Sequence, residues 1–211
     1  MARPRSPDHD AQRDRILRCA AQVFAARGYT AATMNEVAAA SGVSKATLYH
    51  YVRDKHDLLH QIAAGHVARL AALIADPDGA AASGGAEDRL VRLVERFMRA
   101  YAGSGAEHRV LTEDTRFLAD AERAAVIDGQ RELVKAFADR IAEIRPDLAE
   151  PAAGPAHTAV AMLLLGMMNW TFTWLRPDGP LDHDRLATMV AQLLRGGLPA
   201  LSAPKPRSSA R

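Results

Sequence analysis

Apolar residues recur along this chain with the 3.6-residue period of helices and in no stretch with the alternation of a strand. Ile16, Ala20, Val23 and Phe24, with Leu17 beside them, predict a first helix over Asp10–Arg27, closed by Gly28. Two short runs follow, Met34–Ala40 and Ser44–Val52, on either side of Ser41-Gly42-Val43. Asp54 caps a fourth helix that opens near Lys55 and runs through Leu58, Leu59, Ile62, Val67, Leu70 and Ile74 to the stop Asp76-Pro77-Asp78-Gly79. Beyond the small-residue linker Gly79–Gly85, the residues Leu90, Leu93, Val94, Phe97, Met98 and Tyr101 mark a helix over 86–101. Residues 108–120 carry shorter, mixed runs that fix no boundary. Val126, Leu133, Val134, Phe137, Ile141 and Ile144 predict a long helix over Ala121–Ile144, stopped by Arg145-Pro146-Asp147. Ala156–Leu175 is apolar on nearly every side, and such a helix needs cover all round. Leu186, Met189, Val190, Leu193 and Leu194 place a last helix over Asp182–Leu198. The expected fold is all-α with about nine helices.

The two short runs carry the most specific geometry. Their three-residue junction is of the length that sets two helices at a steep angle, and Gly42 supplies a sharp turn without a Cβ penalty. Val37 and Ala38 are expected to face Val43, Leu48 and Tyr51 across the turn. Thr33 caps the first run with Glu36 three residues on, a capping box, and Ser44 caps the second. The free face of the second run then holds Lys45, Ala46, Thr47, Tyr49, His50 and Arg53. A helix with cations, hydroxyls and an imidazole on one face suits the DNA major groove. The plain alternative is that these are two amphipathic helices of an all-α core.

Composition narrows the rest. The 211 residues are 48% hydrophobic, enough for a sizeable core and more than one module. Net charge is only +2, which excludes a polycation that coats nucleic acid or membrane, but residues 1–57 hold nine Lys/Arg against six Asp/Glu. The single cysteine, Cys19, excludes a disulfide framework within one chain and a thiolate zinc site, and fits a cytoplasmic protein. The stretch MARPRSPDHDAQRDR has no apolar core of a secretory leader, and the longest apolar run, Thr158–Met168, is about half of the ~20 residues of a membrane span. No membrane partner is expected.

A helix followed by TMNEVAAASGVSKATLYHYVRDKHDLL and a larger, less regular helical body resembles the TetR family of transcriptional regulators, densely over residues 11–62. Residues 1–9, rich in Pro, Arg and Ser, read either as a flexible basic arm that could touch phosphates or as an unimportant frayed terminus, and the expected organisation beyond them is a three-helix DNA-binding domain at 10–57, a ligand-binding and dimerisation domain at 58–200, and a flexible tail at 201–211. The resemblance implies a homodimer, joined through the last two long helices, on a palindromic double-stranded operator, and a small-molecule inducer that releases the DNA. Carried over by position, Thr33 and Ser44 hold phosphates, Lys45 and Tyr49 brace the backbone or groove wall with Ala46 between them, Thr47 and His50 reach base edges, and Lys55 grips a phosphate. Val52 departs from the family, where phenylalanine is common.

The stretch GMMNWTFTWLRPDG, residues 166–179, is similar to the penultimate helix of TetR-type repressors of fatty-acid, steroid or aromatic-acid catabolism, which respond to coenzyme A thioesters. That similarity makes a CoA thioester the expected inducer and Phe97, Met98, Tyr101, Phe117, Met167, Asn169 and Trp170 the expected pocket, although the same apolar stripe also reads as core and dimer interface. A regulator of efflux or stress genes that senses a hydrophobic compound is the alternative within the class. Outside it stands a helical enzyme with a metal between His56 and His60, one helical turn apart, but no glutamate of the zinc-hydrolase pattern lies between them and no third ligand is evident. No resident cofactor is expected.

Overall fold

The computed structural model describes residues 7–75, 84–151, 154–176 and 178–202. The expected stop at 76–79, most of the linker that follows it, the first residues of the arm and the end of the tail lie outside them. Among the described residues nine helices have seven or more residues: α1 Pro7–Arg27, α2 Met34–Ser41, α3 Lys45–Tyr51, α4 Lys55–Ala75, α5 Ala86–Gly103, α6 Gly105–Glu113, α7 Asp120–Ile144, α8 Ala156–Asn169 and, after the single-turn α9 Thr171–Trp174, α10 His183–Gly197. The described residues include no strand. The chain divides into two compact units. One holds the residues up to Ala68 together with Ser104–Ile127, the other Arg69–Gly103 and the residues from Asp128 onward.

In the first unit α1 begins at Pro7, three residues before the expected start. Proline suits the first helical turn, where its missing N–H has no partner to lose, and Asp8 and Asp10 favour the positive helix end. Ile16, Leu17, Ala20, Ala21 and Phe24 are buried along one side of α1, which packs on α2 and α6. Gly28 ends the helix at φ +79°, its N–H donating to the Phe24 carbonyl at 2.8 Å. Gly42, at φ +66°, ends α2 in the same left-handed way. A Cβ there would lie 3.1 Å from the end of the flexible Arg15 side chain, which can move aside, so it is the left-handed backbone that selects glycine.

Val37, Ala38, Leu48 and Val52 are buried around the α2–α3 turn. Tyr51 is only half buried and packs its ring against His9 of α1, with centroids 4.7 Å apart. Ser44 caps α3 by accepting the Thr47 N–H at 3.0 Å, and Asp54 caps α4 by accepting the Asp57 N–H at 2.7 Å. The first turn of α4 then ties down two turns of the chain. Lys55 Nζ donates to the carbonyls of Thr30 (3.0 Å) and Ala32 (2.8 Å) and lies 4.6 Å from the centre of the Tyr29 ring. Asp57 accepts the Arg53 backbone N–H at 2.8 Å, just after α3 ends, and Arg13 of α1 donates twice to Gln61. Burial pushes the Asp57 carboxyl up, but the Arg53 N–H and the Gln61 and Arg53 side chains outweigh it and hold the group below the usual carboxylate range.

In the second unit α5 and α10 pack along each other through the sides that bury Leu90, Leu93, Val94, Phe97, Leu186, Val190 and Leu194. Phe97 meets Phe137 of α7 edge-on at 4.9 Å and Tyr101 at 6.1 Å. Arg145, just past α7, chelates Asp147 at 2.8 and 2.7 Å and donates to the carbonyls of Leu198, Pro199 and Leu201, anchoring the chain after α10. The single helix expected over Ala156–Leu175 is broken at Trp170. There the Thr171 hydroxyl bonds the Met168 carbonyl (2.8 Å) and the Thr173 hydroxyl the Trp170 carbonyl (2.7 Å), local bonds that compete with a regular helix. Nor is the helix covered all round: Leu164, Leu165 and Met168 are buried, while Met162, Leu163, Met167, Trp170 and Trp174 are exposed.

By length and composition α4 is the one described helix that could cross a membrane, yet Leu58, Leu59, Ile62, Ala63 and Val67 are buried within the protein.

Two outcomes follow from this packing. Phe97→Ala removes a fully buried ring and should cost about 3–5 kcal/mol in denaturant unfolding. Because the Asp57 pKa is lowered in the folded state, its contribution to stability is present above the unfolded carboxylate value. It is lost as pH falls through the folded one. Asp57→Asn should therefore be less stable than the parent at neutral pH, with the difference narrowing on acidification below about pH 4, read as urea midpoints at each pH.

Candidate nucleic-acid interface

Local chemistry positions the outer face of α2 and α3. Thr33 closes a complete capping box: the Glu36 N–H reaches its hydroxyl oxygen at 3.3 Å, while the Glu36 carboxylate accepts the Thr33 N–H at 2.8 Å and its O–H at 2.9 Å. Those bonds, led by the Thr33 hydroxyl, hold the Glu36 carboxyl below its ordinary value. An ionised carboxylate at this helix end is countered by Arg27 at 3.6 Å.

On α3 the side chains of Lys45, Ala46, Tyr49 and His50 are exposed, as is Arg53 beyond its end, while Leu48 points inward. Thr47 is half buried, and its hydroxyl lies 2.8 Å from that of Ser44. Thr33, Ser44 and Thr47 are thus already bonded within the protein, and any contact they make to DNA shares those oxygens. Lys45, Tyr49 and His50 form the open part of the face. Lys55 belongs to the same unit, but two of its ammonium N–H groups hold the Thr30 and Ala32 carbonyls, which leaves one for a phosphate.

Tyr29 and Asp57 hold this face in place and were not singled out from the sequence. A signal for Tyr29 was present, since an aromatic just after a helix-closing glycine packs back on the helix it ends. Tyr29 does so against Phe24, with centroids 5.3 Å apart.

The expected ligand residues fall into three groups. Phe97, Met98 and Tyr101 are buried in the second unit, and the Tyr101 hydroxyl donates to Asn169 at 2.6 Å; burial drives that phenol far above its ordinary pKa. Met167 and Trp170 are exposed, Trp170 at 60%. Phe117 belongs to the first unit, where its ring stacks on Tyr29 at 5.2 Å. The second unit also has a groove of about 430 Å³ between α7 and α8. Val134, Ala138 and Met162 form its apolar wall, and Arg131, Lys135 and His157 are among its polar residues. Of these, Arg131, Val134, Lys135 and Ala138 follow an i, i+3, i+4, i+7 spacing that could have been read from the sequence. Among the described residues no group of three or more His, Cys, Asp or Glu is arranged to hold a metal ion.

Comparison with known proteins adds identity to this geometry. The bacterial regulatory proteins of the tetR family match residues 16–62, and the tetracyclin repressor-like C-terminal domain matches residues 83–198. A TetR-family transcriptional regulator from Bordetella parapertussis 12822 is 32% identical, with a TM-score of 0.74 over 91% of this chain and 98% of its own. The HTH-type transcriptional activator FasR of Mycolicibacterium smegmatis is 26% identical over 193 residues, 90% of this chain and 84% of its own. AibR, crystallised in complex with isovaleryl coenzyme A and operator DNA, shares the fold at a TM-score of 0.69 and 24% identity, over 86% of this chain and 97% of its own. With a helix-turn-helix that exposes Lys45, Tyr49 and His50 and matches that reach from one end of the helical chain to the other, this protein belongs to the TetR family of DNA-binding transcriptional regulators.

Proposed function

We propose that the protein is a cytoplasmic repressor that binds a palindromic operator as a homodimer and is released by a small-molecule inducer, a coenzyme A thioester of a fatty or aromatic acid. The observation that carries the DNA-binding half is the exposed face of α3. Residues 10–57 act as the reading domain and 58–200 as the ligand-binding and dimerisation domain. His50 and Thr47 read base edges. Lys45, Tyr49 and the Ala46 backbone brace the groove wall, Thr33 and Ser44 sit beside phosphates, and the last N–H of Lys55 takes one more.

The dimer uses α8 and α10. Leu163 is 70% exposed and Leu193 61%, with Met162, Met167, Trp170, Trp174 and Met189 also open, a row of apolar side chains that a second copy would cover. Two heads then meet major grooves about 34 Å apart, or a multiple of that. Ligand and DNA favour different arrangements of the pair, so each lowers affinity for the other by the same factor.

The thioester reading is supported by the ligand of AibR and by the α7–α8 groove, where an acyl or aryl group has Val134, Ala138 and Met162 to lie on and phosphates have Arg131 and Lys135. Asp128 and Asp139 hold those two cations at 2.7 Å, so a phosphate must displace them. The Tyr101–Asn169 pair is a second polar group in the same unit for an inducer that opens the core. A hydrophobic, uncharged inducer is the second reading, favoured by the apolar wall of the groove. FasR, an activator, makes the sign of regulation an outcome to measure.

Duplexes selected from a random-sequence pool by this protein supply the operator. On them His50→Ala should relax preference at one base pair by about 1–3 kcal/mol. Lys45→Ala should weaken selected and random duplexes alike and reduce the salt slope by about one. Equal loss on both duplexes from His50→Ala would contradict the base-reading role. Isovaleryl-CoA, palmitoyl-CoA and benzoyl-CoA are the inducer probes: one of them should raise the melting temperature and weaken operator binding, less so in Arg131→Ala/Lys135→Ala. If none of the three does either, the thioester reading fails. Leu163→Asp should give a monomer in sedimentation.

A further inference from the structure

Lys55 and Asp57 each hold a turn of the reading head, and the residue between them faces a third segment. His56 Nε2 accepts the backbone N–H of Ala119, just before α7, at 3.2 Å. The same nitrogen lies 3.4 Å from Oε2 of Glu122, whose Oε1 lies 3.9 Å from Nδ1 of His60. An imidazole nitrogen is either a bare acceptor or an N–H donor. Bare, it serves Ala119 and leaves Glu122 Oε2, a buried oxygen with no hydrogen-bond partner, unsatisfied. Protonated, it serves Glu122 and sets its own N–H against that of Ala119. One proton decides between the two.

The neighbouring charges have other partners. On α7, Arg123 is bonded to Asp120 at 2.7 Å. On α4, Lys55 holds carbonyls, Asp57 holds Arg53, and further along His66 pairs with His108 of α6 at 3.2 Å. Arg13 of α1 is on Gln61, and Arg116 of the 3-10 turn Thr115–Phe117 lies over the Phe117 ring, with Asp114 next to that turn. Glu122 is the carboxylate set against both imidazoles.

We propose that Glu122 is a positioning residue for operator binding, gripping α4 through His56 and His60 in a way that protonation of the two imidazoles sets. With the His56 imidazole neutral, Nε2 accepts the Ala119 N–H and the proton is on Nδ1. Phe117, two residues earlier, is thereby seated on Tyr29, and Tyr29 beneath Lys55. On acidification a solvent proton adds to Nε2. The Ala119 N–H···Nε2 bond breaks, an Nε2–H···Oε2 bond to Glu122 forms, and His60 turns an Nδ1–H toward Oε1. The Phe117–Ala119 segment loses its tether, and the change passes through Tyr29 and Lys55 to the Thr30 and Ala32 carbonyls that precede the α2 cap. This inference needs only the DNA-binding role, so failure of every CoA ester as inducer leaves it standing.

The test uses the full-length protein between pH 8 and 5.5, a window that spans ordinary imidazole titration, at fixed salt. The amide resonance of Ala119 is followed together with the Kd for a selected duplex. In the parent the Ala119 amide should titrate, and affinity should fall severalfold over the same range. In Glu122→Gln both midpoints should move down, because the oxygen that would take the Nε2–H no longer carries a negative charge. The same variant leaves His50, on the exposed face of α3, as it is in the parent. An Ala119 amide that does not titrate in the parent overturns the proposal without any variant. So does an amide that titrates while duplex affinity stays constant, or a Glu122→Gln protein with parental midpoints.

Discussion

Lys55 brings a full positive charge to two backbone carbonyls, Thr30 and Ala32, and the same ammonium lies 4.6 Å from the centre of the Tyr29 ring. Carbonyls in a turn between helices have no ladder to join, and a charge-assisted bond satisfies two of them at once. The constraint matters because Thr33 follows directly. Where that turn is held, the Thr33 capping box starts α2 at one place and one angle, and the Gly42 turn then sets α3. Successive helical residues point about 100° apart, so the first turn of α4 engages three segments in three directions: Lys55 the α1–α2 turn, His56 the entry to α7, Asp57 the end of α3.

The second unit meets a different demand. Its interior is closed by aromatic edges, Phe97 on Phe137 and on Tyr101, and by the long apolar contact of α5 with α10. Its outer face leaves Leu163, Trp170 and Leu193 in the open. The first arrangement stabilises the single chain. The second leaves apolar area in contact with water, the area that the proposed dimer would cover.

Local signals made much of the head legible in the sequence. Thr33, Glu36, Gly42, Ser44 and Asp54 each act within four residues of their own position, and each occupies the cap or turn its chemistry implies. The missed features depend on partners far along the chain. Lys55 reads as a phosphate grip, and nothing within a helical turn of it discloses the Thr30 and Ala32 carbonyls, 25 and 23 residues away. The similarity that makes Phe117 an expected pocket residue discloses nothing of its stacking on Tyr29, 88 positions away. The break at Trp170 lay within reach, since Thr171 and Thr173 bond local carbonyls, but a continuous apolar run masks such competition. Among the pocket residues, apolarity could not tell the buried Met98 from the exposed Met167.

Amide hydrogen exchange on Lys55→Met tests the central claim most directly, since methionine keeps an unbranched apolar side chain of similar length and removes the ammonium that bonds Thr30 and Ala32. If Lys55 sets the reading head, amides from Ala32 to Tyr51 lose protection while those of Leu90 to Met98 in α5 keep theirs. Unchanged protection across α2 and α3, or equal loss in α5, would contradict it.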